Sequence, residues 1–404
     1  MSTSLLYHGF GIRGYEYQRT SFEDGVVVFT IRQKRKSLRC PSCRSANVQC
    51  RGHVSRQWQT LPLGGKPVFI ELNVARVHCR SCRVVRQVSV PFADCQRSYT
   101  KAFARYVLEL RRCMTIRDVA RHLGVSDWMV KDIEKRYLEQ HFARPKLKYV
   151  SRIAIDEISI GAGHRYLTVV LDLENSAVIY VGEGKGADAL KPFWKRLKAA
   201  HALIEAVACD MSPAYIQAVV ENLPDALLVF DHFHVVKLFN DRLSDFRREL
   251  YREATDKMHK DVLKGTRWLL LKNPDNLNDE KKEKERLAEA LSLNQPLATA
   301  YYLKEDLRQL WGQNSRHQAE RFLKDWCTRA RASGIRFLQK FANTLEGHRN
   351  GLLAWYDCPI STGPLEGTNN KIQTLKRQAY GYRDQHYFQL KIYALHKTRF
   401  ELIG

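Results

Sequence analysis

Two segments near the start of the chain are rich in β-branched and other apolar residues, and this composition predicts strands. One segment covers residues 26–31, and the other, residues 68–74, follows a Leu63-Gly64-Gly65-Lys66 turn. From about Thr100 onward the apolar residues recur at helical spacing. A β module is therefore expected to lead into a helical region.

Residues 115–130 have the spacing of a helix-turn-helix. Ala120 is small where the two helices would cross, Gly124 permits a tight turn, and Ser126 can cap the second helix. An ordinary helical hairpin with a buried aliphatic face is the alternative. If the segment binds DNA, the side chains expected to contact it are Arg117, Ser126, Trp128 and Lys131.

From residue 150 the pattern changes to strands. Three apolar runs, at residues 152–159, 165–173 and 177–182, predict an antiparallel meander. Helices and strands then alternate, with a helix at 188–200, a strand at 203–209, a helix after Ser212-Pro213 and a strand at 226–230. This is the element order of a ribonuclease-H-like sheet. Residues 232–350 have helical spacing throughout and are predicted to form a helical insertion.

The charge of the chain predicts a polyanionic partner. Lysine and arginine exceed the acidic residues by 23 over the whole chain. Residues 31–100 carry 14 Lys and Arg against only Glu71 and Asp94. Such a block attracts phosphate backbones by releasing counterions, with an anionic membrane surface as the competing partner. No apolar stretch approaches membrane-spanning length and the amino terminus lacks a signal pattern, so a cytoplasmic protein is expected.

Four of the ten cysteines form two matched pairs, Cys40 with Cys43 and Cys79 with Cys82. Each pair has CxxC spacing and is followed by arginine, which suggests two similar knuckles around one ion. Four thiolates at this spacing predict a closed, structural Zn²⁺ site. The 35 residues between the pairs exceed the usual ribbon spacing. A mixed site using Cys50, His53 or His78, and free thiols, remain alternatives.

Three acidic residues are candidates for a catalytic metal site. Asp156 follows an apolar run, Asp210 ends another, and Glu366 lies where a helix begins at Gly363-Pro364. Mg²⁺, or Mn²⁺ in its place, takes oxygen ligands and can activate an oxygen nucleophile for phosphodiester cleavage. Asp156 is expected in the central strand, where it would bridge two ions. Glu157 and Asp172 are rivals, but Glu157 should point to the opposite face of the sheet from Asp156.

Further residues are candidates around these carboxylates. Asp231 and His234 follow another buried strand, and would support the site or assist proton transfer. Asn370, Gln373 or Thr374, and Arg377 repeat at about one-turn spacing after Glu366. This row is expected to run along a DNA backbone, with Asn370 and Arg377 as its contacts.

These segments predict a multidomain α+β protein. A zinc-binding β module and a helix-turn-helix precede a ribonuclease-H-like α/β catalytic core, which an all-helical insertion interrupts. The expected boundaries are 1–98 for the zinc module, 99–149 for the helix-turn-helix and linker, 150–236 and 351–404 for the two parts of the core, and 237–350 for the insertion.

The motifs together resemble the DDE transposases of bacterial insertion sequences, specifically the ISL-three family. The matching segments occur in the same order along the chain: 40–43 with 79–82, 154–157, 209–215, 231–237, 365–372 and 379–383. The resemblance carries the family's acidic triad to Asp156, Asp210 and Glu366. Asp231 with His234 matches an Asp-x-x-His signature of related transposases. The long spacing between the two cysteine pairs also resembles the family's arrangement.

The resemblance implies an enzyme that binds the terminal inverted repeats of its element, cleaves there and joins the 3′-hydroxyls to target DNA. A homodimer is expected, because two ends must be brought together. It would be located in the bacterial cytoplasm, associated with the nucleoid. The alternatives are a DNA-binding regulator with an inactive ribonuclease-H-like domain, and a structure-specific nuclease such as a junction resolvase.

Overall fold

A computed structural model describes residues 4–161, 163–255 and 257–396, which divide into two units. The first unit contains residues 4–144 and 378–394, and the second contains residues 145–377 with 395 and 396. The segment at 378–394 thus groups with the amino-terminal residues. Within the described ranges, no helix is both long and apolar enough to cross a membrane.

Strands and helices are numbered here in chain order. The strands are β1 Tyr15–Glu23, β2 Val26–Gln33, β3 Val48–Leu63, β4 Lys66–Cys79, β5 Val85–Gln87, β6 Arg152–Gly161, β7 Arg165–Asp172, β8 Ala177–Glu183, β9 Ala206–Cys209 and β10 Leu227–Phe230. The helices are α1 Leu5–His8, α2 Lys101–Leu110, α3 Ile116–Leu123, α4 Asp127–Phe142, α5 Ala187–Ala199, α6 Pro213–Asn222, α7 His232–Glu253, α8 Lys257–Gly265, α9 Glu283–Leu293, α10 Gln295–Arg308, α11 Arg316–Ala332, α12 Arg336–Gly347, α13 Arg349–Leu353, α14 Gly363–Gln378 and α15 Gln385–Ala394.

The first unit is built on a sheet of five strands in the order β1-β2-β4-β3, with β5 paired to β4. The two predicted strands are confirmed as β2 and β4, whose alternate apolar residues are buried. Gly64 and Gly65 adopt positive φ angles of 55° and 78° in the β3–β4 turn, where a side chain would be strained. The apolar pattern of the sequence does not predict β1 and β3, because most of their residues are not buried.

The four predicted zinc ligands meet at one end of this sheet. Their Sγ atoms all lie within 4.8 Å of one another, and the Cys43–Cys79 and Cys40–Cys82 pairs are 3.5 and 3.6 Å apart. Tetrahedral Zn–S bonds of about 2.3 Å require sulfur atoms about 3.8 Å apart, so the cluster fits Zn²⁺. The two knuckles match, because Arg44 and Arg83 both have left-handed φ angles, 60° and 58°. The amide of Cys82 lowers the pKa of Cys79 to about 6, which favours the thiolate.

The helix-turn-helix is confirmed as α3 and α4. Gly124 ends α3 with a φ of 64°, and the Ser126 hydroxyl accepts a bond of 3.2 Å from the Met129 amide, which caps α4. Ala120 and Val130 are buried between the helices, as the spacing predicts.

A buried charge network fastens α15 to α4 within the first unit. The Glu134 carboxylate accepts bonds from Arg111 Nε at 2.8 Å, Lys391 Nζ at 2.8 Å and the Tyr387 hydroxyl at 2.6 Å. Burial alone would raise the pKa of Glu134, but Lys391 and Arg111 lower it to about 2. Around this network Leu138 of α4 packs against Tyr387 and Leu390 of α15.

The second unit contains a sheet in the order β10-β9-β6-β7-β8. β6, β7 and β8 pair antiparallel, as the predicted meander requires, while β9 and β10 pair parallel on the other side of β6. The first strand of the domain is therefore central, which is the arrangement expected of a ribonuclease-H-like sheet.

The predicted insertion contains no strand among its described residues. From α7 to α13 every regular element is an α-helix or a short 3₁₀ turn. These helices share one continuous apolar core with the sheet, in which Phe239 of α7 packs on Trp326 and Phe341. α13 lies close against the sheet, because a Cβ atom at Gly351 would fall 2.4 Å from the Phe230 ring.

Removal of one zinc ligand should release the ion. We expect Cys79→Ser to abolish stoichiometric zinc, measured by atomic absorption, and to lower the melting temperature, because zinc binding contributes to folding of such a module. Cys95→Ser is the control, since Cys95 is exposed and outside the cluster. A Cys79→Ser protein that keeps one zinc per chain would contradict the assignment.

Loss of the buried carboxylate should destabilise the first unit. Glu134→Gln leaves Arg111 and Lys391 buried without a counter-charge, which should cost about 3–5 kcal/mol in urea unfolding at pH 7. Because the pKa of Glu134 is lowered in the folded state, the wild-type advantage should be complete above about pH 4.5 and vanish as pH falls through about 2.

Glu139→Gln, at an exposed pair with His386 on the same two helices, should cost less than about 1 kcal/mol. Equal losses in the two variants would show that the buried network does not stabilise the unit.

Candidate active site

Strand register brings Asp156 and Asp210 together. β6 pairs parallel with β9, with Ala154 opposite Ala208, and each strand continues two residues to its aspartate. Asp156 lies within β6, opposite Val169 of β7, whereas Asp210 directly follows the end of β9. The prediction that Asp156 lies in the central strand is thus confirmed by the sheet order.

The environment of Asp156 disfavours its charge. Burial raises the pKa of Asp156 to about 6, and the negative charges of Asp210 and Glu157 act in the same direction. A hydrogen bond from the Glu157 amide and the nearby His234 oppose the shift. A bound cation would supply the missing positive charge, so the electrostatics fit a divalent metal.

A cleft of about 310 Å³ opens beside Asp210 and is lined by His234, Lys237 and Leu238 of α7. Asp210 is partly held in place, because its Oδ1 accepts a bond of 3.0 Å from the Ser212 amide. His234, which was expected to lie near the acidic site, therefore lines the same cleft as Asp210. The cleft has room for part of a substrate next to Asp210.

The helix that carries Glu366 runs beside β6. α14 begins at Gly363, as the sequence predicts, so Pro364 is its second residue and Glu366 its fourth. Asn369 Nδ2 donates to Asp156 Oδ2 at 2.8 Å, and Gln373 Nε2 donates to the Ser159 carbonyl at 2.7 Å. Glu366 is exposed and lies one turn before Asn369, on the same helix face.

Asn369 is the site residue that sequence reasoning missed. Because a carboxylate only accepts hydrogen bonds, the Asn369 amide nitrogen faces Asp156, and its Oδ1 points elsewhere. That oxygen is buried and has no hydrogen-bond partner among the described residues. Its position three residues after Glu366 was a usable signal, but the predicted row began at Asn370, which is exposed.

The three carboxylates do not form a tight cluster. Within the described part of the chain, the only set of three or more ligand atoms within 4.8 Å of one another is the cysteine cluster. Asp156, Asp210 and Glu366 therefore share one region of the second unit with wider spacing. Like charges repel, so three carboxylates at ligand distance would require a bound cation.

The two rival carboxylates have other partners. Glu157 accepts a bond of 2.9 Å from the Tyr215 hydroxyl. Asp172 is buried at the end of β7, where it accepts bonds from the Glu174 amide and the Asn175 side chain. Both serve local structure of the sheet.

Asp231 connects the start of α7 to the start of α14. Its Oδ1 accepts a bond of 3.4 Å from the Phe233 amide, which caps α7. Its Oδ2 accepts a hydrogen bond from the Thr362 hydroxyl, and the Thr362 carbonyl accepts the Glu366 amide at 2.8 Å. Asp231 is thus bonded to the segment that precedes Glu366.

The predicted DNA contacts of the first unit occupy different environments. Arg117 is exposed, and Trp128 is 67% exposed on α4. Ser126 caps that helix, as described above. Lys131 forms an ion pair of 3.0 Å with Asp384 and lies over the Tyr387 ring. Lys131 therefore already has an anionic partner within the unit.

Three family profiles match the chain in the order that the fold suggests. Residues 36–82 match the zinc-finger of transposase IS204/IS1001/IS1096/IS1165, and residues 88–138 match the helix-turn-helix domain of transposase family ISL3. Residues 153–392 match the DDE profile of the ISL3 family, described as transposase.

Curated relatives agree along nearly the whole chain. The transposase for insertion sequence element IS1001 of Bordetella parapertussis is 32% identical, over 95% of this chain and 96% of its own. The transposase for insertion sequence element IS1557 of Mycobacterium tuberculosis is 31% identical, over 92% and 89%. Among solved structures, the Drosophila P element transposase strand transfer complex covers 76% of this chain and 94% of its own, with a TM-score of 0.39 and 11% identity. Since the transposase profile spans more than half of the residues and the IS1001 relative aligns almost throughout, the chain belongs to the ISL3 family of DDE transposases.

Proposed function

We propose that Asp156, Asp210 and Glu366 are the catalytic carboxylates of this transposase. The observation that carries the proposal is the bond from Asn369 to Asp156, because it ties the Glu366 helix to the strand pair that holds both aspartates. The three carboxylates would together hold the divalent metal, which would supply positive charge to the phosphate and activate the attacking oxygen.

A DDE transposase is a polynucleotidyl transferase, and the family implies a divalent metal at the active site and a structural zinc. The all-oxygen donor set suits Mg²⁺ or Mn²⁺. When bound, such ions neutralise phosphate charge and activate the attacking oxygen. The alternative of a regulator with an inactive domain is not favoured, because the family and both relatives are transposases.

The remaining residues of the site would orient and exchange protons. Asn369 would fix the Asp156 carboxylate, and His234, which lines the cleft, would take up the proton of the attacking water or 3′-hydroxyl. Asp231 acts as a positioning residue, since it bonds to Thr362 rather than facing substrate. The roles of Asn369 and Asp231 rest on hydrogen bonds, and the role of His234 rests on its position in the cleft beside Asp210.

DNA binding is a property of the family's helix-turn-helix. We propose that the helix-turn-helix binds the terminal inverted repeats. Arg117, Trp128 and the amino-terminal end of α4 at Ser126 would face the major groove of the DNA. Lys131 would exchange Asp384 for a phosphate. On α14, Asn370 and Arg377 are exposed and would follow the backbone of the cleaved end or the target.

Several finer features belong to the same proposal. A homodimer would hold two transposon ends in one complex, as strand transfer of both ends requires. The substrate places the protein in the bacterial cytoplasm, at the nucleoid. We also propose the domain boundaries that the sequence predicts, including the insertion at 237–350.

Loss of the central carboxylate should abolish cleavage. Asp156→Asn should reduce nicking of a supercoiled plasmid carrying the element's ends by more than about 100-fold in Mg²⁺, because it removes the bridging anion. Gel-shift binding to the ends should be retained. Asp225→Asn, at an exposed position before β10, should cut like wild type. Nicking by Asp156→Asn at the wild-type rate would overturn the triad, and binding without nicking by wild type in both Mg²⁺ and Mn²⁺ would favour the regulator.

Two adjacent asparagines provide a matched test of positioning. Asn369→Ala removes a hydrogen bond to Asp156, so the Mg²⁺ concentration for half-maximal cleavage should rise and activity should fall about 10- to 100-fold. Asn370→Ala should weaken end binding and leave the Mg²⁺ requirement unchanged. Identical Mg²⁺ curves for Asn369→Ala and wild type would show that the amide does not position the carboxylate.

A further inference from the structure

A second groove lies next to the active-site cleft, between α7 and α12 of the insertion. Its volume is about 520 Å³. Arg242, Arg248 and Arg252 line it from α7, and Arg336 and Lys340 line it from α12. The groove thus concentrates five cationic side chains on two helices, against two acidic ones, Asp245 and Glu249.

Most of this charge is uncompensated within the protein. Arg248 pairs with Asp245, but Arg242, Arg252, Arg336 and Lys340 form no ion pair with any carboxylate that the structure describes. All four are exposed. Cations that share a groove repel one another, and a bound polyanion would relieve that repulsion.

The floor of the groove is aromatic. Phe246 and Phe337 are half-buried, and their ring centroids lie 5.0 Å apart at an interplanar angle of 45°. Phe341 lines the same groove and is buried. A basic rim over aromatic rings is the surface on which unpaired bases stack while phosphates bind the rim. A duplex would keep its bases stacked inside and leave such a floor unused.

The groove continues from the active-site cleft. Leu238 of α7 lines both, and the cleft also contains Asp210 and His234. α7 begins at His232 and has 22 residues, so it extends about 33 Å away from the site. A strand that leaves the aspartates along α7 would pass directly over the basic rim.

We infer that the α7–α12 groove binds a single-stranded stretch of DNA that leaves the active site during end processing. This inference rests on the proposed function, because it takes the cleft at Asp210 as the place where the strand is cut. Phosphates would contact Arg336, Lys340 and the α7 arginines, and bases would stack on Phe246 and Phe337.

Photo-crosslinking tests the groove directly in the full chain. Lys340→p-benzoylphenylalanine should crosslink to the unpaired nucleotides of a labelled transposon-end duplex with a single-stranded extension. The same replacement at Lys324, exposed on α11 outside the groove, is the control. Equal labelling from both positions, or labelling of the paired region alone, would overturn the inference.

Charge reversal gives an independent readout. Arg336→Glu with Lys340→Glu should reduce the slope of log affinity against log salt for a 20-nucleotide single strand by about 1.4, as expected for two lost phosphate contacts. Arg321→Glu with Lys324→Glu changes net charge equally on α11 and should leave the slope as in wild type. Equal slopes in both double variants would count against the groove.

The crosslink does not require cleavage, so it should persist with Asp156→Asn. Cleavage by that variant at the wild-type rate would refute the catalytic proposal and leave the crosslink readable, whereas loss of the crosslink alone would refute the groove.

Discussion

Parallel pairing of β6 with β9 is the constraint on which the catalytic region depends. It places two carboxylates at the same edge of a largely buried sheet, and burial raises the pKa of Asp156 to about 6. Apolar packing of Ile153, Val207 and their neighbours holds the strands together against this cost. The folded sheet therefore carries an electrostatic cost at Asp156, which a divalent cation would remove.

The third carboxylate arrives only after the chain has passed through the helical insertion. Two contacts fix its approach: Asp231 at the end of β10 bonds to Thr362 just before α14, and Asn369 bonds from the body of α14 to Asp156. Because the insertion shares one apolar core with the sheet, the helix returns to a defined place. The position of Glu366 thus depends on the folding of the whole second unit. A packing defect in the insertion should therefore alter the geometry around Glu366.

What the sequence predicted and what it missed have different physical origins. Gly124, Ser126 and the CxxC pairs report local geometry, so the turn, the cap and the cysteine cluster followed from spacing alone. Apolar runs likewise predicted the sheet of the second unit. The bond between Asn369 and Asp156 joins residues 213 positions apart, and no local pattern encodes it. The same holds for Glu134 with Lys391, since each looks like an ordinary surface charge until α15 packs on α4.

The acidic centre and the basic side chains around it would link metal binding to DNA binding. Bare carboxylates at Asp156 and Asp210 would repel a phosphate, whereas Lys237 in the same cleft and the arginines along α7 attract it. A bound divalent cation would neutralise the charge of the two carboxylates without changing their surroundings. A divalent ion held by these carboxylates would also attract phosphate oxygens, so metal binding and DNA binding would each favour the other. The acidic centre lies within a chain of net charge +23. The surrounding basic side chains would attract the DNA phosphates fully only once the charge of that centre is neutralised.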